Sequence, residues 1–71
     1  MNTMHPRVFR DTWGLSNSQT ALLLGLSERT IVAYCASRNS SSRRNPSASV
    51  EKLTFIQHQA LLNKEKVVEV T

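Results

Sequence analysis

Two glycines, Gly14 and Gly25, divide the first half of the chain into short helical segments. Pro6 suits the first position of a helix, and Gly14 ends that segment because glycine readily adopts the left-handed conformation found at helix C-termini. A second segment starts at Ser16 and stops at Gly25, and a third starts at Ser27. Segments this short are stable only when they pack on one another, so the pattern predicts a small all-α domain.

Each of the two later segments opens with a recognisable capping residue. Ser16 and Gln19 have the spacing of a capping box, in which each side chain accepts a hydrogen bond from the other's backbone N–H. Ser27 suits the N-cap of the third helix. Glu28 lies in its first turn, where the positive end of the helix dipole favours a negative charge. Both helices are therefore expected to begin at these serines.

The spacing of small and apolar residues between these helices indicates a helix-turn-helix over about residues 16–36. Ala21 is small enough to let two helices cross closely, and Gly25 supplies the positive φ that a tight turn requires. Ile31 and Tyr34 face back toward the core from the second helix of the pair. This arrangement is the helix-turn-helix, whose second helix can enter a DNA major groove.

A polar, basic loop over residues 37–46 separates this pair from a last helix over about 46–65. Asn45 is the expected cap and Pro46 the expected first residue. Six residues, most of them apolar, recur there at spacings of three and four, which places them on one face: Val50, Leu53, Ile56, Gln57, Ala60 and Leu61. Residues 66–70 are β-prone and predict a short strand or a frayed tail. We therefore expect one domain over residues 1–71, a small bundle of four to five helices.

The positive charge of the chain is concentrated in its first two thirds. Of 71 residues with a net charge of +4, the segment up to residue 49 holds six arginines and two acidic residues. In residues 50–71 three lysines balance three glutamates. Because the planar guanidinium fork suits phosphate and guanine edges, this distribution favours a nucleic-acid partner. The alternative is a solvated surface with a modest excess of positive charge.

Several other classes of function are disfavoured. The chain is too short for a two-domain enzyme, and no acid, base and nucleophile occur at a convincing spacing. A single cysteine, Cys35, cannot form an internal disulfide and suits the cytoplasm; a small, apolar role in packing is expected of it. His58 and His5 lack partners for a metal site, the longest apolar run is too short for a membrane span, and no secretion signal is visible. We expect no enzymatic activity, cofactor, metal or small-molecule ligand.

The helix-turn-helix stretch resembles the Cro and phage-repressor group of DNA-binding proteins, the XRE family. The residues that carry the resemblance are Leu15-Ser16, Ala21, Leu24-Gly25-Leu26-Ser27, Thr30-Ile31 and Tyr34. Downstream, Arg44-Asn45-Pro46-Ser47 with Leu53 and Ile56 resembles that family's loop and the start of its fourth helix. The resemblance covers roughly residues 7–60. The chain departs from the family in a longer loop, in Asn17 where glutamine is common, and in Cys35 where an acidic residue is common.

The resemblance implies that the second helix of the pair reads base edges of duplex DNA. Its outward positions in this chain are Ser27, Glu28, Arg29, Val32 and Ala33. Arg29 can bind guanine, Glu28 can accept from a cytosine amino group, and Val32 with Ala33 can contact a thymine methyl. The alternatives are that Val32 packs under the long loop, and that Glu28 serves only the helix dipole or pairs with Arg29.

Phosphate contacts are expected from two other places. Ser18 and Gln19 lie at the N-terminus of the first motif helix, where backbone N–H groups favour an oxyanion; Asn17 fits a helix-start role equally well. Arg38, Arg43 and Arg44 belong to the basic loop, which alternatively is a solvated connector.

Together these features predict a small transcriptional regulator, with repression favoured, that binds specific duplex DNA. Such minimal regulators are, by resemblance, typical of phages, plasmids and other mobile elements. A homodimer is expected, through a surface comprising Phe55, Gln59, Leu62 and the Val67-Val68-Val70 tail. The alternatives are an accessory DNA-binding factor for transposition or excision, and a protein-interaction module such as an antitoxin.

Overall fold

Four α-helices make up the computed structural model, which describes residues 2–37, 39–41 and 43–70, with side chains described as far as residue 64. The helices are α1 (Pro6–Trp13), α2 (Asn17–Leu24), α3 (Glu28–Cys35) and α4 (Ala48–Val70). No strand occurs among the described residues, which confirms the all-α fold class. The prediction of a strand or tail at residues 66–70 is wrong, because this segment continues α4.

The glycine breaks lie where the sequence places them, and both have the same geometry. Gly14 has a φ of 63° and Gly25 a φ of 68°, both in the left-handed region. After each glycine the next backbone N–H reaches back to a carbonyl of the last helical turn: Leu15 N donates to Arg10 O and Leu26 N to Ala21 O, both at 2.9 Å. These are Schellman-type ends, which satisfy carbonyls that the helix leaves without partners.

The predicted capping interactions of α2 and α3 are confirmed. Gln19 N donates to Ser16 Oγ at 3.0 Å, and Ser16 N donates to Gln19 Oε1 at 2.9 Å, which completes the capping box. Thr30 N donates to Ser27 Oγ at 3.1 Å. Because these bonds join residues only three apart, they form as soon as the first turn of each helix does.

The start of α4 differs from the prediction. The helix begins at Ala48, two residues after Pro46, and Val50 N donates to Ser47 Oγ at 3.2 Å. Ser47, not Asn45, therefore provides the side-chain acceptor for an N–H of the first turn. At its other end the helix extends to Val70, beyond the predicted limit near residue 65.

The core lies between the three short helices and the first half of α4. Its buried apolar side chains are Phe9, Ala21, Leu24, Ile31 and Tyr34. Thr20 and Thr54 are fully buried as well. Each threonine hydroxyl donates at 2.8 Å to the carbonyl one turn earlier in the chain, that of Ser16 and of Val50 respectively. These bonds remove most of the free-energy cost of burying a hydroxyl.

The residues of α4 that face inward agree only in part with the predicted ones. Thr54 is buried, and Val50 and Leu61 pack against the core. Leu53 and Ile56, which the sequence analysis placed on the same face, are 40% and 54% exposed. Ala60 is also exposed. The inward residues 50, 54, 57 and 61 follow the same three-and-four spacing, and two of them are polar. The prediction is therefore correct for Val50, Gln57 and Leu61, wrong for Leu53, Ile56 and Ala60, and it missed Thr54.

Specific hydrogen bonds explain why polar side chains of α4 face inward. Gln57 Nε2 donates to Leu23 O at 2.8 Å, and Trp13 Nε1 donates to His58 Nδ1 at 3.0 Å. These bonds connect α4 to the ends of α2 and α1. The backbone N–H of Met4 adds a third link by donating to Glu51 O at 3.1 Å. Together they determine how α4 packs on α1, α2 and the segment before α1.

Ala21 and Leu22 provide a test of the packing between α2 and α3. Ala21 is 4% exposed and Leu22 is 83% exposed. Ala21→Leu should lower the free energy of unfolding by roughly 1–3 kcal/mol through overpacking. Leu22→Ala should change it by less than about 0.5 kcal/mol. Urea denaturation of both variants measures this, and equal effects would contradict the close approach of the helices at Ala21.

Candidate nucleic-acid interface

The outward face of α3 is open to solvent. Glu28 and Arg29 are exposed, and Val32 is 49% exposed. The opposite face is held in the core by Ile31, which is fully buried, and by Tyr34, which is 8% exposed. The predicted base-contacting residues Ser27, Glu28, Arg29 and Val32 are thus accessible, and Ala33 is half-buried. The alternative of a Val32 packed away under the loop does not describe this structure.

The basic loop is attached to the C-terminal turn of α3. Arg44 N donates to Ala33 O at 3.0 Å. Within the loop, Ser40 N donates to Ser37 O at 3.0 Å, and Arg43 N donates to Ser40 O at 3.2 Å. These bonds turn the described part of the loop back onto α3, so that Arg44 lies beside the outward face of that helix.

A concavity of about 330 Å³ separates Arg44 from α3. It is lined by Arg29, Thr30, Val32, Ala33 and Arg44. Arg29 and Arg44 supply its cationic groups. The Thr30 hydroxyl is hydrogen-bonded to the Ser27 hydroxyl at 2.7 Å. The apolar part of the lining comes from the methyl groups of Val32 and Ala33.

The N-terminus of α2 presents two of the predicted phosphate-binding residues. Ser18 and Gln19 are both exposed. Gln19 Oε1 is engaged in the capping box, so the amide NH₂ group is the part of this side chain that suits a phosphate oxygen. Asn17 is half-buried, and its Oδ1 accepts from Arg10 Nη1 at 2.8 Å, which agrees with a structural role at the helix start.

Arg10 is a cation that the sequence analysis did not single out. Besides Asn17, its guanidinium contacts Asp11, with Arg10 Nε and Asp11 Oδ1 separated by 3.1 Å. These contacts hold a positive charge against the start of α2, where the helix dipole also favours an anion. No sequence motif marks this arrangement, because the partner at position 17 is seven residues away and across a turn.

Arg43 does not share the surroundings of Arg44. Arg43 is half-buried, its Nε atom is buried without a hydrogen-bond partner among the described residues, and its charge acts on His5 at the start of α1. Arg38 lies outside the described residues. Of the two loop arginines that the structure describes, Arg44 lines the concavity and Arg43 does not.

Cys35 occupies the end of α3 as a half-buried free thiol. Burial raises the pKa of this thiol, an effect that the neighbouring positive charge of Arg10 opposes. A raised pKa keeps the sulfur protonated and weakly nucleophilic at neutral pH. This environment fits a packing role for Cys35.

The part of the chain that the structure describes lacks two kinds of feature. No cluster of three or more histidine, cysteine, aspartate or glutamate residues there could hold a metal ion. No helix in that part of the chain combines the length and apolar character needed to cross a membrane.

No protein-family model, curated protein or solved structure matches the chain. Three features of the chain itself therefore bear on its function: the accessible face of α3, the concavity beside it and the polar start of α2.

His5 makes the stability of α1 depend on pH. Its Nδ1 accepts from Arg7 N at 3.0 Å and so caps the helix, and burial together with Arg7 and Arg43 lowers its pKa against the opposing effect of Glu51. The stabilising contribution is complete above the ordinary histidine pKa of 6.5. It decreases as pH falls below that value and is lost once pH passes the lowered pKa of the folded protein.

His5→Asn should retain a capping oxygen and remove this titration. We expect the difference in stability between the parent and this variant to shift in favour of the variant as pH falls from 7.5 to 5.5. Urea denaturation across that range measures the shift. Parallel pH profiles for the two proteins would show that His5 has no such role.

Proposed function

We propose that the protein is a sequence-specific regulator of transcription that binds duplex DNA, acts as a repressor and is of the Cro and phage-repressor type. The observation that supports this most directly is the division of α3 into two faces. Ile31 and Tyr34 anchor the helix, while its charged N-terminal turn and Val32 remain accessible. A helix held in this way can enter the major groove without unfolding any part of the core.

The accessible side chains of α3 suit different base edges. Arg29 donates to guanine O6 and N7, and Glu28 accepts from a cytosine amino group. Ser27 contacts a neighbouring base, and Val32 and Ala33 contact a thymine methyl. These five side chains differ in donor, acceptor and apolar character, so together they can read a short, specific sequence.

Phosphate contacts surround this readout and position it. Ser18 and Gln19 approach one strand from the start of α2, with Arg10 adding positive charge there. Arg44 approaches from the other side of α3, and phosphate contacts by Arg38 and Arg43 stay predictions from the sequence. Because these groups contact the backbone, they supply affinity that is common to all sequences.

A homodimer completes the proposed regulator, since one helix of eight residues contacts only a few base pairs. Two copies would read half-sites about 34 Å apart. The exposed apolar side chains of α4 suggest the dimer surface. Leu62 and Gln59 are exposed as predicted, whereas Phe55 is half-buried beside the ring of His58. Leu53 and Ile56 add apolar surface. The side chains of Val67, Val68 and Val70 lie outside the described residues.

We assign control of the regulator to the amount of protein or to a partner. A repressor needs only to occupy its operator and exclude polymerase. The lone thiol suits the reducing cytoplasm, where such a regulator acts.

Arg29 and Arg44 separate base readout from backbone binding. Arg29→Ala should weaken binding to the best site by roughly 1–3 kcal/mol and relax the preference at one base pair. Arg44→Ala should weaken binding to specific and random duplexes about equally. Fluorescence anisotropy with both kinds of duplex measures these effects. Identical behaviour of the two variants would contradict the proposed roles.

The dependence on salt distinguishes DNA binding from a protein-interaction role. A dimer with ~8 arginine–phosphate contacts should show a slope on the order of −7 when log affinity is plotted against log salt. The measurement is a titration of one labelled duplex at several salt concentrations. A flat plot, or no binding at low salt, would favour the protein-interaction module.

A charge introduced into the apolar surface of α4 tests whether that surface forms the dimer contact. Ile56→Glu should convert dimers to monomers, because it places a charge in an apolar contact. Leu22→Glu is a matched control, since Leu22 is 83% exposed on a different helix. Sedimentation at micromolar concentrations measures both. A parent chain that is monomeric even at high micromolar concentration would refute the dimer.

A further inference from the structure

The concavity beside α3 combines two cationic residues with an apolar lining. Its volume is about 330 Å³, and it is lined by Arg29 and Arg44 together with Thr30, Val32 and Ala33. The hydroxyl of Thr30 is bonded to that of Ser27 at 2.7 Å, so it competes poorly as a partner for a ligand. A group that fits this site therefore combines hydrogen-bond acceptors with a small apolar projection.

In the major groove one group has that apolar character. Base edges there present acceptors and amino donors, and the C5-methyl group of thymine is the apolar projection. Cytosine methylated at C5 presents the same methyl. Guanine provides the paired acceptors, O6 and N7, that a guanidinium binds in bidentate fashion.

We infer that the concavity recognises a two-base step, a 5-methylpyrimidine followed on the same strand by guanine. This inference rests on the proposed DNA-binding function and names the feature that the site selects. Arg29 binds the guanine, Val32 and Ala33 receive the methyl group, and Arg44 binds a flanking phosphate. The selected steps are therefore thymine–guanine and 5-methylcytosine–guanine, and binding to a cytosine–guanine step increases when its cytosine is methylated.

The attachment of the loop makes this site specific to the folded chain. Arg44 N donates to Ala33 O at 3.0 Å, so the backbone that carries Arg44 is bonded to the residue that contributes one wall. Val32 is 49% exposed without the DNA. Covering it with a methyl group removes apolar surface from water, which is the source of the selectivity.

The test changes the DNA and leaves the protein unaltered. The full chain is used to select bound fragments from three random duplex pools at moderate salt. One pool is ordinary, one carries uracil in place of thymine, and one carries 5-methylcytosine in place of cytosine. We expect enrichment of thymine–guanine steps in the first pool, loss of that enrichment in the second and gain of cytosine–guanine steps in the third.

Affinities of one enriched duplex then measure the contribution of the methyl group. Replacing the single thymine of the step by uracil should weaken binding about three- to fivefold, the effect of exposing one methyl-sized apolar group. Val32→Ala should bring the thymine-to-uracil ratio close to one while the preference for guanine remains. Arg44→Ala is the matched control and should weaken both duplexes equally, leaving the ratio unchanged.

The outcomes separate this inference from the function on which it rests. A chain that selects sequences without a thymine–guanine or methylated step, or that binds thymine and uracil duplexes equally, overturns the inference and leaves sequence-specific binding intact. A Val32→Ala variant that keeps the full thymine-to-uracil ratio also overturns it. A chain that enriches no sequence from the ordinary pool overturns the proposed function and the inference together.

Discussion

The turn at Gly25 sets the direction of α3 relative to α2. It thereby determines which side chains of α3 face the core and which face solvent. A φ of 68° is costly for a residue with a side chain, and glycine adopts it freely. Leu26 N then donates to Ala21 O, which closes the end of α2, and the Ser27 hydroxyl opens α3 one residue later. Since only two residues separate this glycine from the first residue of α3, the chain has little freedom to choose another angle.

The core and the outer surface of α3 depend on each other through this geometry. Ile31 and Tyr34 occupy the interior beside Phe9 and Leu24, so the remaining positions of a helix of eight residues must face outward. The loop then returns to the C-terminal turn of α3 through the bond between Arg44 and Ala33. A single short helix is thereby fixed by packing on one side and flanked by a cation on the other.

Local features of the fold were predictable from the sequence, and long-range ones were not. The capping box at Ser16 and Gln19 and the cap at Ser27 were correct because their bonds span three residues. The inward face of α4 was predicted only in part. Gln57 was placed on it, although its bond to Leu23, which is 34 residues away, forms only after the helix docks. Thr54 was missed because its hydroxyl is satisfied within the helix by Val50 O, so that a polar residue can be buried there. The start of α4 at Ala48 differs from the prediction because Ser47, which follows Pro46, provides the side-chain acceptor for the first turn.

The candidate site also has features that were predictable from the sequence and features that were not. Helical spacing places Glu28, Arg29 and Val32 on one face of α3, and the structure shows that face to be accessible. The position of Arg44 beside it depends on a backbone bond across the loop, and that of Arg10 on a bond to Asn17. Neither bond has a sequence signature. The outward face of α3 was thus predictable from the sequence, whereas the positions of Arg10 and Arg44 beside it depend on the fold.

The small interior of this molecule has a consequence for its lifetime in a cell. Few apolar side chains are removed from water, and a domain of this size keeps little stability in reserve. A ligand that binds only the native form shifts the folding equilibrium toward it by mass action. If the protein binds DNA as proposed, bound copies are shielded from proteolysis, while unbound copies unfold more often and are more open to degradation. Turnover would in this way match the pool of protein to the number of occupied sites without any separate sensor.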